Sequence, residues 1–415
     1  MTEPAALLER LGEPDTLAAV EVEWSESLAA DLPVDFLAAP VVREHAEWVG
    51  LGEDLTGALL DTAGRVREHA DLRRLAQHAH WLLFHRDDYN RWQEWPQLEP
   101  ALGEQRGLFF LLLCLAGLPR LRERNAQRGI PELVTRATAR DFGIASGRYR
   151  RIHGRPGLEH WILNWFRLVT SGDLHRLGRV QYVQRPFRGR IVVFRHRHTH
   201  ETLALAENGA WFTADGFLDR RGPEAPAEGS WEARLEEGPH EVVGVPVVAR
   251  GVALREERRL SRADWRPVLR RDDTVLEIHI PEGDPYTVEG WGDSFAQAAE
   301  FFPKHFPDRP FRAFACYSWL LGPDLIEILG PEERLTAPLR EFYLFPIPSG
   351  GRDGLYFVFG RSDIEPATAP RDTRLRRGIL ERFDRGLPYR GGGMLFLLED
   401  LPRFGAACYQ TLLAQ

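Results

Sequence analysis

The sequence contains 415 residues, 43% of them hydrophobic and 27% charged, and its formal net charge at pH 7 is −8. This length can bury two hydrophobic cores and predicts two domains. The negative charge argues against a protein whose main partner is nucleic acid, and a single lysine, Lys304, leaves no P-loop or pyridoxal-binding motif.

Several common site patterns do not occur in the sequence. It has no HExxH, GxSxG or Cys-x-x-Cys motif, which excludes the usual zinc-peptidase, serine-hydrolase and zinc-ribbon patterns, and no metal is expected. The three cysteines, Cys114, Cys316 and Cys408, are too few for a disulfide framework. Together with an acidic N-terminus that lacks a signal-peptide pattern, they predict a cytoplasmic protein.

Residues 1–145 predict an all-helical domain. Apolar residues recur at helical spacing over 56–66, 71–84 and 107–124. The most apolar run, 107–118, has 12 residues. Because that is too short to span a bilayer, it predicts a buried helix and no membrane span.

The composition changes after residue 145. Between residues 145 and 200 there are 12 arginines and two acidic residues. Strands are predicted at 179–184 and 190–195, and a hairpin from 202–206 and 210–213. Such a basic cluster is most often a solvated surface; the alternatives are binding of a phosphate-bearing donor, docking of an acidic carrier protein, or nucleic acid, which is the weakest because no binding motif occurs. Four arginines are predicted to contribute to a positive face: Arg179, Arg185, Arg188 and Arg190.

Three histidines alternate just beyond the second of these strands. On one continuous strand, His196, His198 and His200 would share a face and could chelate a metal. A turn between residues 194 and 202 would instead leave them as exposed loop histidines. The next polar segment, 220–237, is predicted to be a mobile loop.

Residues 274–329 predict a βαβ unit. A strand over 275–280 precedes a loop that contains Gly290 and Gly292, a helix capped by Asp293 or Ser294, and a second strand over 311–320. A loop that opens onto a helix N-terminus presents free N–H groups to an anion. The predicted phosphate-binding residues are Gly290, Trp291, Gly292, Asp293 and Ser294.

The remaining segments predict a hairpin from strands 339–347 and 354–360, a helix over 373–383 and a final strand over 394–398. Because helices come first and mixed strands and helices follow, the fold class is α+β, with a second domain over residues 146–415 built on a mixed, bent sheet.

Seven segments along most of the chain, in order, carry a family resemblance: LRRLAQHAHWLLF (72–84), RRIHGRPGLEHW (150–161), LGRVQY (177–182), LEIHIPEG (276–283), FACYSWLLGPDL (314–325), TRLRRGILERFDRG (373–386) and RGGGMLF (390–396). They resemble a bacterial family of acyltransferase-domain proteins, which combine a helical N-acyltransferase N-terminal domain with a GNAT-like C-terminal domain. The resemblance implies acyl transfer from acyl-CoA, or from an acyl carrier protein, to an amine.

The resemblance also implies where the chemistry takes place. In GNAT proteins the base often lies on the strand before the phosphate loop, and the donor thioester lies between that strand and the next. Here the first strand offers His279 and Glu277 as bases. The second offers Tyr317 as an acid, Ser318 beside the thioester, and Cys316 as an alternative nucleophile.

Two features depart from the family pattern. Thr287 occupies the position where Gln or Arg usually begins the phosphate loop, and Tyr317 stands where histidine is common. A non-catalytic GNAT-fold protein that binds CoA-like or other phosphorylated ligands is therefore the alternative function.

Overall fold

The computed structural model describes residues 3–30 and 32–410. The chain forms two compact units. The first contains the described residues up to Arg176 together with Pro281–Gly283, and the second contains Leu177–Ile280 and the described residues from Asp284 onward.

The first unit is helical. Its helices are α1 (Glu3–Leu11), α2 (Leu17–Val20), α3 (Trp24–Ala29), α4 (Ala39–Trp48), α5 (Glu53–Glu68), α6 (Ala70–His85), α7 (Glu99–Leu102), α8 (Arg106–Leu115), α9 (Leu118–Gln127), α10 (Glu132–Ala139), α11 (Asp141–His153) and α12 (Leu163–Val169). The boundary after Arg176 lies beyond the predicted position at residue 145 because α11 and α12 pack against α8. Pro281–Gly283 also belongs to this unit, where Glu282 pairs with Arg148 (3.4 Å) and Arg151.

The apolar run predicted as one helix forms two. Every residue of α8 from Gly107 onward is buried, as predicted. The helix stops before Gly117, and Pro119 lies in the first turn of α9, where its missing N–H is tolerated. The helical stretch Glu99–Gln127 includes one window with the length and composition of a membrane span, 67% of which is buried inside the protein.

The second unit contains most of the strands. The strands are β1 (His175–Leu177, which spans the boundary between the units), β2 (Val180–Pro186), β3 (Ile191–His196), β4 (Thr202–Ala206), β5 (Trp211–Phe212), β6 (Trp231–Glu232), β7 (Leu235–Glu237), β8 (Glu241–Gly244), β9 (Pro246–Val248), β10 (Val252–Ala253), β11 (Arg258–Ser261), β12 (Trp265–Leu269), β13 (Thr274–His279), β14 (Ala313–Ser318), β15 (Tyr343–Phe345) and β16 (Gly392–Leu397). Its helices are α13 (Val288–His305), α14 (Pro323–Leu329), α15 (Leu355–Phe359) and α16 (Arg374–Asp384).

The main sheet of this unit has the order β2-β13-β14-β16-β15. β13 and β14 are parallel, whereas β2 pairs antiparallel with β13, and β16 pairs antiparallel with β14 and β15. A second sheet has the order β10-β9-β4-β3-β12. The predicted α+β class with a mixed sheet is therefore confirmed.

Two predicted hairpins are wrong. β4 pairs with β3, and β5 pairs with β6 in a different sheet, so residues 202–213 do not fold back on themselves. Residues 355–359 form a helix rather than a strand: Gly354 (φ 71°) and Gly360 (φ 80°) enclose it in left-handed conformations, which stop an extended chain at both ends. The segment predicted as a mobile loop, 220–237, contains β6 and β7.

One buried ion pair joins β3 to the segment that follows β16. The Arg195 guanidinium bonds to the Asp400 carboxylate, to Glu399 (3.1 Å) and to Thr202 Oγ1 (2.6 Å). Asp400 also accepts a hydrogen bond from the Tyr409 hydroxyl (2.7 Å). Because both charged groups are buried, each depends on the other.

We expect Asp400→Ala to lower the free energy of unfolding by about 3–5 kcal/mol, because the buried Arg195 guanidinium loses its buried carboxylate partner and keeps only the partly exposed Glu399. Asp363→Ala is the matched control, since Asp363 pairs with Arg361 at 2.8 Å on an exposed surface and should cost less than about 1 kcal/mol. Urea unfolding of the whole protein measures both values. Equal losses for the two variants would contradict the role given to the buried pair.

Candidate active site

The site is organised by the βαβ unit β13-α13-β14. α13 covers one face of the sheet, where Phe295 stacks on Phe314 with ring centroids 4.1 Å apart. The Tyr182 hydroxyl on β2 bonds to Ser294 Oγ (2.7 Å), and Ser294 Oγ donates to the Leu177 carbonyl. These contacts hold α13 in register with the strands below it.

The predicted start of this helix is wrong. α13 begins at Val288, and Thr287 is its N-cap: its Oγ1 accepts the N–H of Gly290 (3.1 Å). The five predicted phosphate-binding residues, Gly290, Trp291, Gly292, Asp293 and Ser294, therefore lie inside the helix, and the side chains of Trp291 and Ser294 are fully buried. The N–H groups of these five residues are not available to a phosphate as predicted, because backbone N–H groups beyond the first turn bond to carbonyls of the same helix.

The candidate anion-binding end of α13 is its first turn, at Val288 and Glu289, rather than residues 290–294. The N–H groups of Val288 and Glu289 have no acceptor in the described part of the chain, as is usual for the first turn of a helix. Arg179 adds positive charge nearby, since a Cβ placed on Gly290 would lie 3.9 Å from the Arg179 Cβ. The exposed Glu289 carboxylate is the opposing charge at this end.

β13 and β14 separate at their carboxyl ends. Their parallel ladder joins Leu276 to Phe314 and ends at the pair Ile278 and Cys316. β13 continues to pair with β2 as far as His279, and β14 continues to pair with β16 as far as Ser318. The sheet therefore opens between the two strands beside His279, at the edge where α13 begins.

His279 lies on the face of β13 opposite α13, with its side chain 32% exposed. Burial lowers the pKa of its imidazole from 6.5 to about 4, and the charges of Arg185 and Arg188 lower this pKa further. The ring is therefore neutral at pH 7. For that reason its contact with Glu277, 3.9 Å from Nε2 to Oε1, is not an ion pair at neutral pH.

The Glu277 carboxylate pairs with Arg188 rather than with His279. Both of its carboxylate oxygens accept from the Arg188 guanidinium, at 2.8 and 3.0 Å, and its side chain is 10% exposed. Since the carboxylate is paired, its role is to balance the charge of Arg188 beside His279.

Tyr317 shares this face of the sheet, but its hydroxyl points to the turn between β2 and β3. The hydroxyl oxygen accepts the N–H of Arg188 (2.8 Å), and burial raises the pKa of the phenol to about 12. The group stays protonated at pH 7, and giving its proton to a thiolate would be unfavourable. The structure therefore favours a packing and hydrogen-bonding role for Tyr317.

Cys316 and Ser318 lie on the other face of β14. Burial raises the pKa of the Cys316 thiol, and the Glu277 carboxylate raises it further, so the reactive thiolate is suppressed. Ser318 Oγ accepts the N–H of Leu320 (3.2 Å) and caps the turn after β14. Of the five predicted catalytic residues, the structure brings His279, Glu277 and Tyr317 to one face and separates Cys316 and Ser318 from them.

The predicted positive face is only partly formed. Arg188 pairs with Glu277, and Arg190 lies 3.8 Å from Glu207. Arg185 is exposed, and Arg179 lies beside the start of α13. The basic segment therefore contributes Arg179 to the anion-binding end of the helix and Arg188 to the charge balance beside His279.

The three alternating histidines do not share a strand face. β3 ends at His196, and His198 and His200 lie in the turn that follows, with His200 at φ 58°. No group of three or more His, Cys, Asp or Glu side chains within residues 3–30 and 32–410 is arranged to hold a metal ion.

The sequence reasoning missed Thr287 as the helix cap. The signal was present, because Trp291 lies four residues before Phe295 and extends the apolar stripe of α13 by one turn. Threonine is also a favoured N-cap residue. The pairing of Arg188 with Glu277 has no comparable signal, since the two residues are 89 positions apart.

The parallel βαβ unit places a helix N-terminus and the neutral imidazole of His279 at one edge of the sheet. The chain belongs to the family with a GNAT-like C-terminal domain, whose model matches residues 174–395. Residues 41–172 match the N-acyltransferase N-terminal domain. The resemblance noted in the sequence is therefore confirmed, and the protein is an acyltransferase by family.

Solved structures share the fold along almost the whole chain. An acyltransferase in complex with CoA and 10C-teicoplanin has 19% identity and a TM-score of 0.65, covering 96% of this chain and 100% of its own. An acyltransferase in complex with decanoyl-CoA and teicoplanin has 20% identity and a TM-score of 0.64 over the same shares. A mutant acyltransferase with octanoyl-CoA has 19% identity and a TM-score of 0.63, covering 95% and 99%. Among curated proteins, no relative matches this sequence.

We expect Glu289→Gln to strengthen the binding of inorganic pyrophosphate and of CoA several-fold at low ionic strength, because it removes a negative charge from the anion-binding end of α13. The gain should shrink in about 0.5 M salt, where exposed charges are screened. Glu300→Gln is the matched control, an exposed carboxylate in the same helix three turns further on. Isothermal titration calorimetry gives both affinities. An equal gain for the two variants would contradict an anion site at the start of α13.

Proposed function

We propose that the protein transfers an acyl group from acyl-CoA to the amine of a small molecule. The observation that carries this proposal is the opening between β13 and β14 after Ile278 and Cys316. It lies at the same edge of the sheet as the start of α13 and has the neutral imidazole of His279 beside it.

The charges at this edge of the sheet support a phosphate-bearing donor. The free N–H groups of Val288 and Glu289 and the Arg179 side chain suit a pyrophosphate. The similar acyltransferases are solved with CoA, octanoyl-CoA and decanoyl-CoA, which makes acyl-CoA the donor of first choice. An acyl carrier protein bearing the same phosphopantetheine arm is the second donor to test.

His279 supports an amine as the acceptor, because it is the proposed base for the attacking nitrogen. In the transfer, the amine nitrogen attacks the thioester carbonyl carbon, the C–N bond forms and the C–S bond breaks. His279 takes the proton that the nitrogen loses, and the departing thiolate is protonated in turn. One of the similar structures holds decanoyl-CoA with teicoplanin, and another holds CoA with 10C-teicoplanin, which supports a small-molecule acceptor here.

The proposal includes a cytoplasmic location. The three cysteines are all free, as a reducing compartment favours.

We expect His279→Ala to leave the affinity for CoA within about two-fold of the wild type and to lower the rate of transfer by about 100-fold or more, because the base acts only as the amine attacks. Release of CoA from decanoyl-CoA in the presence of a panel of amines, with the product identified by mass spectrometry, measures the rate. His240→Ala, an exposed histidine of the same unit, is the control and should leave both values unchanged. CoA binding by the wild type with no product from any amine would favour the non-catalytic binding protein.

The pH dependence gives a second test of His279. Because its pKa is lowered to about 4, the ring gains a proton only well below the usual histidine range. Stability contributed by the neutral ring is present above about pH 6.5 and is lost as the pH falls toward 4. Nitrogen-15 NMR of the ring should show no titration between pH 6 and 8, and a midpoint near 6.5 would contradict the environment described for it.

A further inference from the structure

One buried hydroxyl close to the site has no hydrogen-bond partner. Tyr286 is 3% exposed, and no group among residues 3–30 and 32–410 bonds to its hydroxyl. Buried polar groups in native proteins are almost always bonded, and an exception calls for an explanation such as a ligand. The hydroxyl is thus a candidate contact for a molecule that binds here.

A second buried donor adjoins it. The Trp291 ring meets the Tyr286 ring edge-on, with centroids 5.6 Å apart, and the Trp291 Nε1–H also has no acceptor in the described part of the chain. An indole N–H can only donate, and a neutral phenol can donate its proton. Two neighbouring donors without an acceptor match a ligand that brings an oxygen acceptor.

Tyr286 is close to both parts of the proposed donor site, the start of α13 and the end of the pairing between β13 and β14. It precedes the N-cap Thr287, so it is next to the anion-binding end of α13. The Arg179 guanidinium lies over its ring, 5.7 Å from the centroid. Burial raises the pKa of the Tyr286 phenol, and the charge of a Cys316 thiolate would raise it further, which puts the ring near the last residue of β14 that pairs with β13.

We propose that the Tyr286 hydroxyl donates a hydrogen bond to a carbonyl oxygen of the pantetheine arm of the donor. This inference rests on the proposed function and names a donor-binding residue within the same site. The arm of CoA runs from the pyrophosphate to the thioester and carries amide carbonyls along its length. An oxygen of the arm that passes Tyr286 would be the acceptor for this hydroxyl.

Tyr286→Phe tests the proposal because it removes the hydroxyl and keeps the ring. We expect the free variant to unfold at the same temperature as the wild type or higher, since it loses an unbonded buried hydroxyl. Its affinity for CoA should fall about 10-fold, which corresponds to about 1.4 kcal/mol.

Tyr343→Phe is the matched control. The Tyr343 hydroxyl is buried in the same unit, donates to the Val247 carbonyl and accepts the N–H of Ala204 (2.9 Å). Its removal should lower the unfolding temperature and leave the affinity for CoA unchanged, the reverse of the pattern expected for Tyr286→Phe.

A second probe shows which part of the donor the hydroxyl contacts. Adenosine 3′,5′-bisphosphate contains the nucleotide end of CoA but no pantetheine, so Tyr286→Phe should bind it as the wild type does. Equal losses for this probe and for CoA would overturn the contact with the pantetheine arm.

The outcomes separate this inference from the function on which it rests. A wild type that binds CoA and transfers acyl groups, with Tyr286→Phe unchanged in CoA affinity, overturns the role of Tyr286 alone. Reduced stability of Tyr286→Phe with unchanged CoA affinity does the same, because it indicates a buried water as the partner of the hydroxyl. A wild type that binds no CoA overturns both.

Discussion

The separation of β13 from β14 after Ile278 and Cys316 is the constraint on which the site depends. Each strand keeps its outer neighbour beyond this point, β2 for β13 and β16 for β14. Both strands therefore remain ordered while the edge between them opens. A right-handed crossover places the start of the connecting helix at the same edge, so a single backbone feature brings the helix N-terminus, the gap and His279 together.

The aromatic packing of α13 fixes the position of that edge. Trp291 and Phe295 pack edge-on against each other and both contact Phe342. On the opposite face of the sheet, Gly393 leaves room for the Phe345 ring, since a Cβ there would meet it at 2.2 Å. The sheet is thus closely packed on both sides up to the strand ends, and the opening between β13 and β14 is confined to those ends.

Much of the fold could be predicted from the sequence, because its signals are local. The alternation in β13 and the apolar stripe of α13 are periodic patterns, and the structure confirms the βαβ unit they predicted. The start of α13 was placed six or seven residues too late, because two glycines suggested a loop where Thr287 in fact caps the helix. Gly290 and Gly292 are compatible with either reading until the cap is recognised.

The chemistry of the candidate site was less predictable because it depends on contacts between distant segments. Glu277 and His279 look equivalent on the strand, but the Glu277 carboxylate is paired with Arg188, whereas burial is the main reason that the His279 imidazole is neutral. The same holds for Tyr317, whose hydroxyl direction is set by the turn after β2. The prediction of a hairpin at residues 202–213 was wrong because it paired neighbouring segments, whereas β4 pairs with β3 and β5 with β6.

The inclusion of Pro281–Gly283 in the helical unit has a consequence for the order of folding during synthesis. Arg148 and Arg151 are synthesised about 130 residues before their partner Glu282, and chains usually fold from the N-terminus as they emerge. The helical unit must therefore wait for β13 to leave the ribosome before its last contacts can form. A chain cut after Arg176 would lack these contacts permanently, and the ion pairs of Arg148 and Arg151 with Glu282 could not form in the excised helical fragment.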